Sequence, residues 1–329
     1  VVATIKDVAQ QAGVSIATVS RALNTPDRVS LAAQSAVQAA IAALGFRPNL
    51  IGRQLRADKT GLIGVMLPTL SNPVFAECLQ GIEQAALAAN YRVLLMTTHY
   101  RADREQHALE TLLNQRVDGM ILTVAHAAQH AWLDRLEDLS VPYMLVYNQC
   151  DARPCVSVDN RAAAAQGVTE LLLRGHRHIA MISGQLQASD RAQQRYQGYC
   201  DAMRAAGLVP GEPLEIDFES ADLPPELVGR LTGPDRPTAV FCGNDRLAIL
   251  VMRRLLARGL RIPQDVAILG FDGLEIGELL APALATVSQP NADIGARAME
   301  RLHGWLDSGQ RLASLVLPHG IRRGGSIHA

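Results

Sequence analysis

From residue 61 onward the chain repeats one pattern: a short apolar run, then a longer stretch with helical spacing. The runs at 62–67, 93–97, 119–123 and 143–147 lie about 25–30 residues apart, the period of a βαβ unit. A second series follows at 179–183, 239–242 and 266–270. Parallel strands joined by helices must be covered on both faces, so two such series predict two doubly wound α/β subdomains. The 329 residues are enough for two or three domains, and 48 % apolar content is enough for large cores. Aromatic residues make up only 4 %, so aliphatic side chains must fill those cores. No G-x-G-x-x-G follows the first strand and no G-x-x-x-x-G-K-[ST] occurs, so nucleotide-phosphate chemistry lacks its usual loop. Neither G-x-S-x-G nor H-E-x-x-H is present, and an α/β sugar-binding protein or sugar-acting enzyme is the weaker alternative.

The first sixty residues read differently. Thr4 can cap a helix, with Asp7 three residues on. Ile5, Val8, Ala9 and Ala12 then share one face. Gly13 stops this helix, and Ser15 caps a second with Val19 and Leu23 inward. Ser30 caps a third, with Val37, Ile41 and Leu44 inward and Gly45 at its end. Two short helices around a glycine turn fit a helix-turn-helix, and an ordinary small helical bundle would share that pattern. The outer face of the second helix favours DNA. It carries Ile16, Ala17, Ser20 and Arg21, where Thr18 and Ser20 suit phosphates and Arg21 suits a guanine edge. Charge is segregated in the same sense. Residues 1–60 hold seven basic and three acidic side chains, and the remainder holds 24 and 29. Pro48 then opens a stretch of about two helical turns, well short of the ~12–15 residues that an isolated helix needs in water.

These residues carry a family resemblance. Thr4-Ile5-Lys6-Asp7-Val8-Ala9, Ala12-Gly13-Val14-Ser15 and Thr18-Val19-Ser20-Arg21-Ala22-Leu23-Asn24 are similar to the headpiece of the LacI/GalR family of bacterial regulators. Val29-Ser30, Leu44-Gly45-Phe46 and Pro48-Asn49 continue the match. The resemblance implies that Ile16, Ala17 and Arg21 read bases in the major groove and that Leu55 wedges into the minor groove of an operator. The candidate DNA-contacting residues are Thr4, Ser15, Ile16, Ala17, Thr18, Ser20, Arg21, Asn24, Arg28 and Ser30, with Asn49, Gly52 and Leu55 in the hinge. Gly52 stands where the family usually has Ala, which costs about 1 kcal/mol of helix stability. The hinge is therefore expected to fold only when DNA holds it.

The resemblance continues through Ser71-Asn72-Pro73-Val74-Phe75, Val158-Asp159-Asn160, Gly175-His176-Arg177-His178-Ile179, Arg195-Tyr196-Gln197-Gly198-Tyr199, Gly243-Asn244-Asp245 and Gly270-Phe271-Asp272. It implies an all-α helix-turn-helix headpiece at 1–47, a hinge at 48–60, and a periplasmic-binding-protein-like core at 61–329. The core divides into an N-subdomain of about 61–160 and 291–320 and a C-subdomain of about 161–290 and 321–329. An effector is expected in the cleft between them, held by Ser71, Phe75, Asp159, Arg191, Arg195, Asn244, Asp272 and Gln289. Phe75 and Tyr147 suit stacking on a sugar face, and carboxylates with amides suit a polyol. Other readings stay open at several positions. Asn244-Asp245 would equally cap the helix at 245–256, Asp159-Asn160 would equally form an Asx turn, and His176 and His178 read as structural.

The expected partners follow from this reading. They are palindromic double-stranded operator DNA, a second copy of the chain, and a sugar or sugar acid as effector. Arg191 with Arg195, and a likeness of residues 67–77 and 324–327 to the gluconate-repressor branch, suit the acid; a neutral pentose or hexose stays open beside it, with a purine behind both. No cofactor or metal is expected. Five cysteines without a C-x-x-C spacing fit a reducing cytoplasm. Residues 1–25 lack a signal-peptide pattern, and the first residue is Val, as in numbering that starts inside a native chain. Residues 323–329 carry no leucine heptads, so a dimer is expected.

Overall fold

The computed structural model describes residues 3–46 and 59–327, in two compact units divided after Thr60. Expectations at Asn49, Gly52 and Leu55 concern residues outside the described ones.

The first unit is a three-helix bundle of α1 (Ile5–Gln11), α2 (Ile16–Asn24) and α3 (Leu31–Leu44). Each helix begins at the hydroxyl residue expected to cap it. The Thr4 hydroxyl accepts from the Asp7 amide at 3.4 Å, and Asp7 Oδ2 accepts from the Thr4 amide at 2.7 Å, a reciprocal capping box. Ser15 and Ser30 accept from the amides of Thr18 and Ala33. At the end of α3, Gly45 adopts φ +58°, a left-handed conformation open to glycine at little cost. Val8, Ala9, Val19, Ala22, Val37 and Ala40 form the buried centre, with Leu23, Ile41 and Leu44 packed against it.

The second unit holds two six-stranded sheets. The first runs β11-β5-β4-β3-β1-β2 and the second β12-β10-β9-β8-β6-β7. The first lobe contains β1 (Leu62–Leu67), α4 (Pro73–Ala88), β2 (Arg92–Thr97), α5 (Ala102–Asn114), β3 (Gly119–Leu122), α6 (Ala131–Asp138), β4 (Tyr143–Val146) and β5 (Cys155–Val158). The chain then crosses into α7 (Asn160–Leu173), β6 (Ile179–Gly184), α8 (Asp190–Ala205), β7 (Leu214–Ile216), α9 (Pro225–Thr232), β8 (Ala239–Cys242), α10 (Asp245–Ala257), β9 (Ala267–Asp272) and β10 (Ala285–Ser288). It returns through α11 (Asn291–Ser308) and β11 (Leu315–Leu317) to the first lobe, and ends with β12 (Gly320–Arg322) in the second. The pairings in both sheets are parallel except β10 with β12. Strands β3, β4, β5, β8 and β9 are buried along their whole length, as expected where helices cover both faces.

Helix pairs in the two lobes meet at glycines. A Cβ on Gly81 of α4 would lie 2.0 Å from the Ala292 carbonyl oxygen of α11, and one on Gly198 of α8 would lie 2.1 Å from the Arg161 carbonyl oxygen of α7. Among the described residues no helix is long and apolar enough to cross a membrane.

Candidate functional site

Where the two lobes face each other, a cleft opens at the carboxyl ends of the strands, the place where open α/β sheets bind their ligands. The first lobe contributes Asn72, Phe75, Tyr100 and Tyr147; the second contributes Ser183, Arg191, Arg195, Phe218, Asn244 and Asp272; Gln289 comes from the crossover after β10.

Arg195 is the anchor of this cavity. It projects from the second turn of α8, a helix started by Ser189, whose hydroxyl accepts from the Ala192 amide. Its Nε donates to Asn160 Oδ1 at 2.9 Å and its Nη1 to the Gly243 carbonyl at 2.6 Å. Nη1 also lies 3.4 Å from Asp272 Oδ1, and the guanidinium carbon sits 3.7 Å from the centre of the Phe271 ring. Burial pulls its pKa down, opposed by the charge of Asp272.

Asp272 ends β9 at φ +119°, a backbone conformation that an L-residue holds only when its surroundings enforce it. Gln289 Nε2 donates to its Oδ1 at 2.9 Å. Burial pushes this carboxyl up to about 6, with Arg195 acting in the opposite sense. Ser183 Oγ and Gln289 Oε1 are buried at the cavity without a hydrogen-bond partner among the described residues. A buried polar atom left unpaired costs about 1–3 kcal/mol, so both invite a ligand hydroxyl.

The first lobe brings rings. Phe75 and Tyr147 meet edge to face with centroids 5.5 Å apart, and Tyr147 donates to the Val74 carbonyl at 2.8 Å. Tyr100 of the first lobe stacks on Phe218 of the second at 4.2 Å and 10°.

Four of the expected effector residues need comment. Arg191 lines the cavity, yet its Nη1 already donates to the Val124 carbonyl at 2.9 Å and to Asp190 Oδ1 at 3.2 Å. Asp190 in turn accepts from Asn148 and from the Ala127 amide, so this cluster joins the lobes. Ser71 is exposed, bonded to the Thr69 hydroxyl at 3.0 Å and outside the lining, where its neighbour Asn72 stands. Asp159 also lies outside the lining. Its carboxylate accepts from the Ala162 amide and starts α7, while the next residue, Asn160, reaches Arg195. Asn244 serves twice, capping α10 through the Leu247 amide and facing the cavity. Phe75, Arg195, Asp272 and Gln289 stand together in the cavity. Tyr100, Ser183, Ser189 and Phe218 escaped the sequence reading; Phe218 lies in an irregular loop after β7, where no periodicity marks it. His176 pairs with the Thr238 hydroxyl and His178 is exposed, both away from the cavity.

In the helical unit Ile16, Ala17 and Arg21 are exposed together on α2. Arg28 is exposed in the short turn Pro26–Arg28, and Ser20 is half-buried on α2. Thr4, Ser15 and Ser30 spend their side chains on caps, and the Thr18 hydroxyl is bonded to Ser15 at 2.9 Å. Asn24 is the last residue of α2.

Two family profiles match this chain. Residues 4–49 match bacterial regulatory proteins of the lacI family, and residues 60–319 match the periplasmic binding proteins and sugar binding domain of the LacI family. The chain belongs to the LacI family of bacterial regulatory proteins. LacI-family relatives align with it almost end to end. The HTH-type transcriptional regulator GntR of Escherichia coli (strain K12) is 36 % identical over 332 residues, 98 % of each chain. Catabolite control protein A of Priestia megaterium is 34 % identical over 323 residues, 97 % of each. Among solved structures, the Lac repressor dimer bound to operator and the anti-inducer ONPF superposes with a TM-score of 0.87 at 27 % identity, covering 99 % of this chain and 100 % of that one. The complex of the transcriptional regulator CelR with cellobiose reaches 0.71 at 28 % identity, covering 98 % and 99 %. As a LacI-family member the chain is a DNA-binding transcriptional regulator with a helix-turn-helix headpiece and a two-lobed sensor core.

Proposed function

We propose that the protein is a homodimeric repressor of genes for sugar or sugar-acid catabolism, controlled by a small effector in the cleft. The observation that carries this is the pairing of two unsatisfied sites in one chain. One is the exposed face of α2 with Ile16, Ala17 and Arg21, and the other is the cleft, with buried Ser183 Oγ and Gln289 Oε1 unpaired among the described residues. The Lac repressor was solved as a dimer on operator DNA and CelR with cellobiose, which supports carrying both partners over. A two-fold dimer would read a palindrome, because one headpiece covers too few base pairs for useful specificity. In the hinge at 48–60, Asn49, Gly52 and Leu55 would contact the same DNA. The working compartment would be the bacterial cytoplasm, at the nucleoid, and no reaction would be catalysed.

The test has two arms. Selection from a random duplex library should return a palindrome, and Arg21→Ala should weaken its binding by about 1–3 kcal/mol relative to non-specific DNA. Binding that falls steeply with salt while showing no preferred sequence would reduce the headpiece to a phosphate binder. A thermal-shift screen of pentoses, hexoses, aldonates and uronates should return at least one ligand, and turnover of that ligand would favour an enzyme instead.

A further inference from the structure

The turn Asp272-Gly273-Leu274 leaves the second lobe at the end of β9, yet its last side chain belongs to the other lobe's core. Leu274 is 1 % exposed and packs in the same apolar cluster as Phe75, Ile294 and Met299, all of the first lobe. Side chains from four places hold the turn's backbone. The Leu274 amide donates to Asp245 Oδ2 at 2.8 Å and the Gly273 amide to the Thr286 hydroxyl at 3.3 Å. Arg322 donates to the carbonyls of Gly273 and Leu274 at 3.1 and 2.6 Å. Asn291 donates to the Asp272 carbonyl at 3.2 Å and, through the same Nδ2, to Glu77 of α4 at 2.8 Å. Asp245 is itself fully buried, and the cavity residue Asn244 precedes it.

A cavity-facing carboxylate and a plug in the opposite lobe are thus two residues apart on one tightly held turn. We infer that Asp245 is a positioning residue that holds this turn, and that Leu274 transmits the state of Asp272 in the effector cleft to α4 and the first lobe. Packed cores respond to a displaced side chain by discrete rearrangement, so a shift of Asp272 cannot be absorbed without moving Leu274. The first lobe also begins, at β1, directly after the hinge in sequence. The inference rests on the reading of the cavity as the effector site.

Hydrogen exchange on the full-length protein without ligand tests the linkage by itself. Asp245→Ala, a change in the second lobe, should speed exchange at the Leu274 amide and also within residues 75–82 of α4 by about tenfold or more. Asp245→Asn keeps an acceptor for the Leu274 amide and should restore protection at both places. Leu274→Ala works in the reverse direction: it should speed exchange at Gly273 and at 244–248 as well as in α4. Because Leu274→Ala is an ordinary large-to-small core change, it keeps the test open if Asp245→Ala does not fold. Effects confined to the mutated lobe in either variant, or an Asp245→Asn protein as loose as Asp245→Ala, would overturn the inference. Failure of the ligand screen with intact coupling in exchange would instead count against the effector reading alone.

Discussion

The two lobes share one sheet plan but do not share the work of the cleft. The second lobe delivers every charged residue of the lining: Arg191, Arg195 and Asp272. The first delivers the amide Asn72 and three rings, Phe75, Tyr100 and Tyr147. Charges are expensive to bury and must be built into a rigid frame of partners, as Arg195 is by Asn160, Gly243 and Asp272. Rings have no such requirement, and they can close over a ligand by shape. The asymmetry assigns polar recognition to the second lobe and enclosure to the first.

Arg195→Ala is the hardest blow to this division. It strands Asp272 and Asn160 in a buried site, so stability should fall by about 3–5 kcal/mol and ligand affinity with it. Denaturant midpoints and calorimetry would check both. A variant of wild-type stability would mean that the second lobe's charges are not held as described.

The next effect comes from pH. Asp272 and Asp245 have carboxyls raised by burial to about 6 and about 7, against an ordinary value of 3.8. The folded protein therefore keeps protons that the unfolded chain releases. Stability from these groups is full below pH 4 and is lost as pH rises through 6 to 7. Thermal melts across that window should show the decline, and Asp272→Asn should flatten its lower part. A profile unchanged by that substitution would remove Asp272 from the account.

Gly81→Ala and Gly198→Ala compare the lobes where they are built alike. Each pushes a methyl into a facing helix backbone and should cost about 1–3 kcal/mol, seen as matched losses in melting temperature. Unequal losses would show that one helix pair yields more readily. Tyr147→Phe should have the smallest effect. Loss of the bond to the Val74 carbonyl should cost about 0.5–1.5 kcal/mol. Ligand affinity should barely change if this ring acts by shape, and a large calorimetric loss would give the first lobe a polar role.

The sequence made the headpiece legible because its signals are local: Thr4, Ser15, Ser30 and Gly45 each mark a helix end within a few residues. The core was legible where apolar runs recur at βαβ spacing and silent at β5, β7, β10, β11 and β12, which fall outside that period. Nothing near Leu315–Leu317 says that it pairs with β5, some 159 residues earlier in the chain by the Ser314–Cys155 bond. The site shows the same limit twice, by one residue each time. Ser71 and Asp159 are reasonable ligand contacts by type, but the chain turns into a helix there, and the following amides, Asn72 and Asn160, point to the cleft or its arginine. Residue type predicts chemistry, whereas which of two adjacent side chains faces inward depends on a backbone turn fixed by distant packing.

The return of the chain through α11 and β11 has a consequence for biosynthesis. The first lobe needs 291–317 to complete its sheet and cover β3, β4 and β5, and the second needs β12. Neither lobe can complete its sheet until residues beyond 314 have been made, whereas the three helices of the headpiece end at Leu44. A chain that stopped before residue 291 would therefore leave both lobes unfinished, and its headpiece would lack a completed sensor core to regulate it.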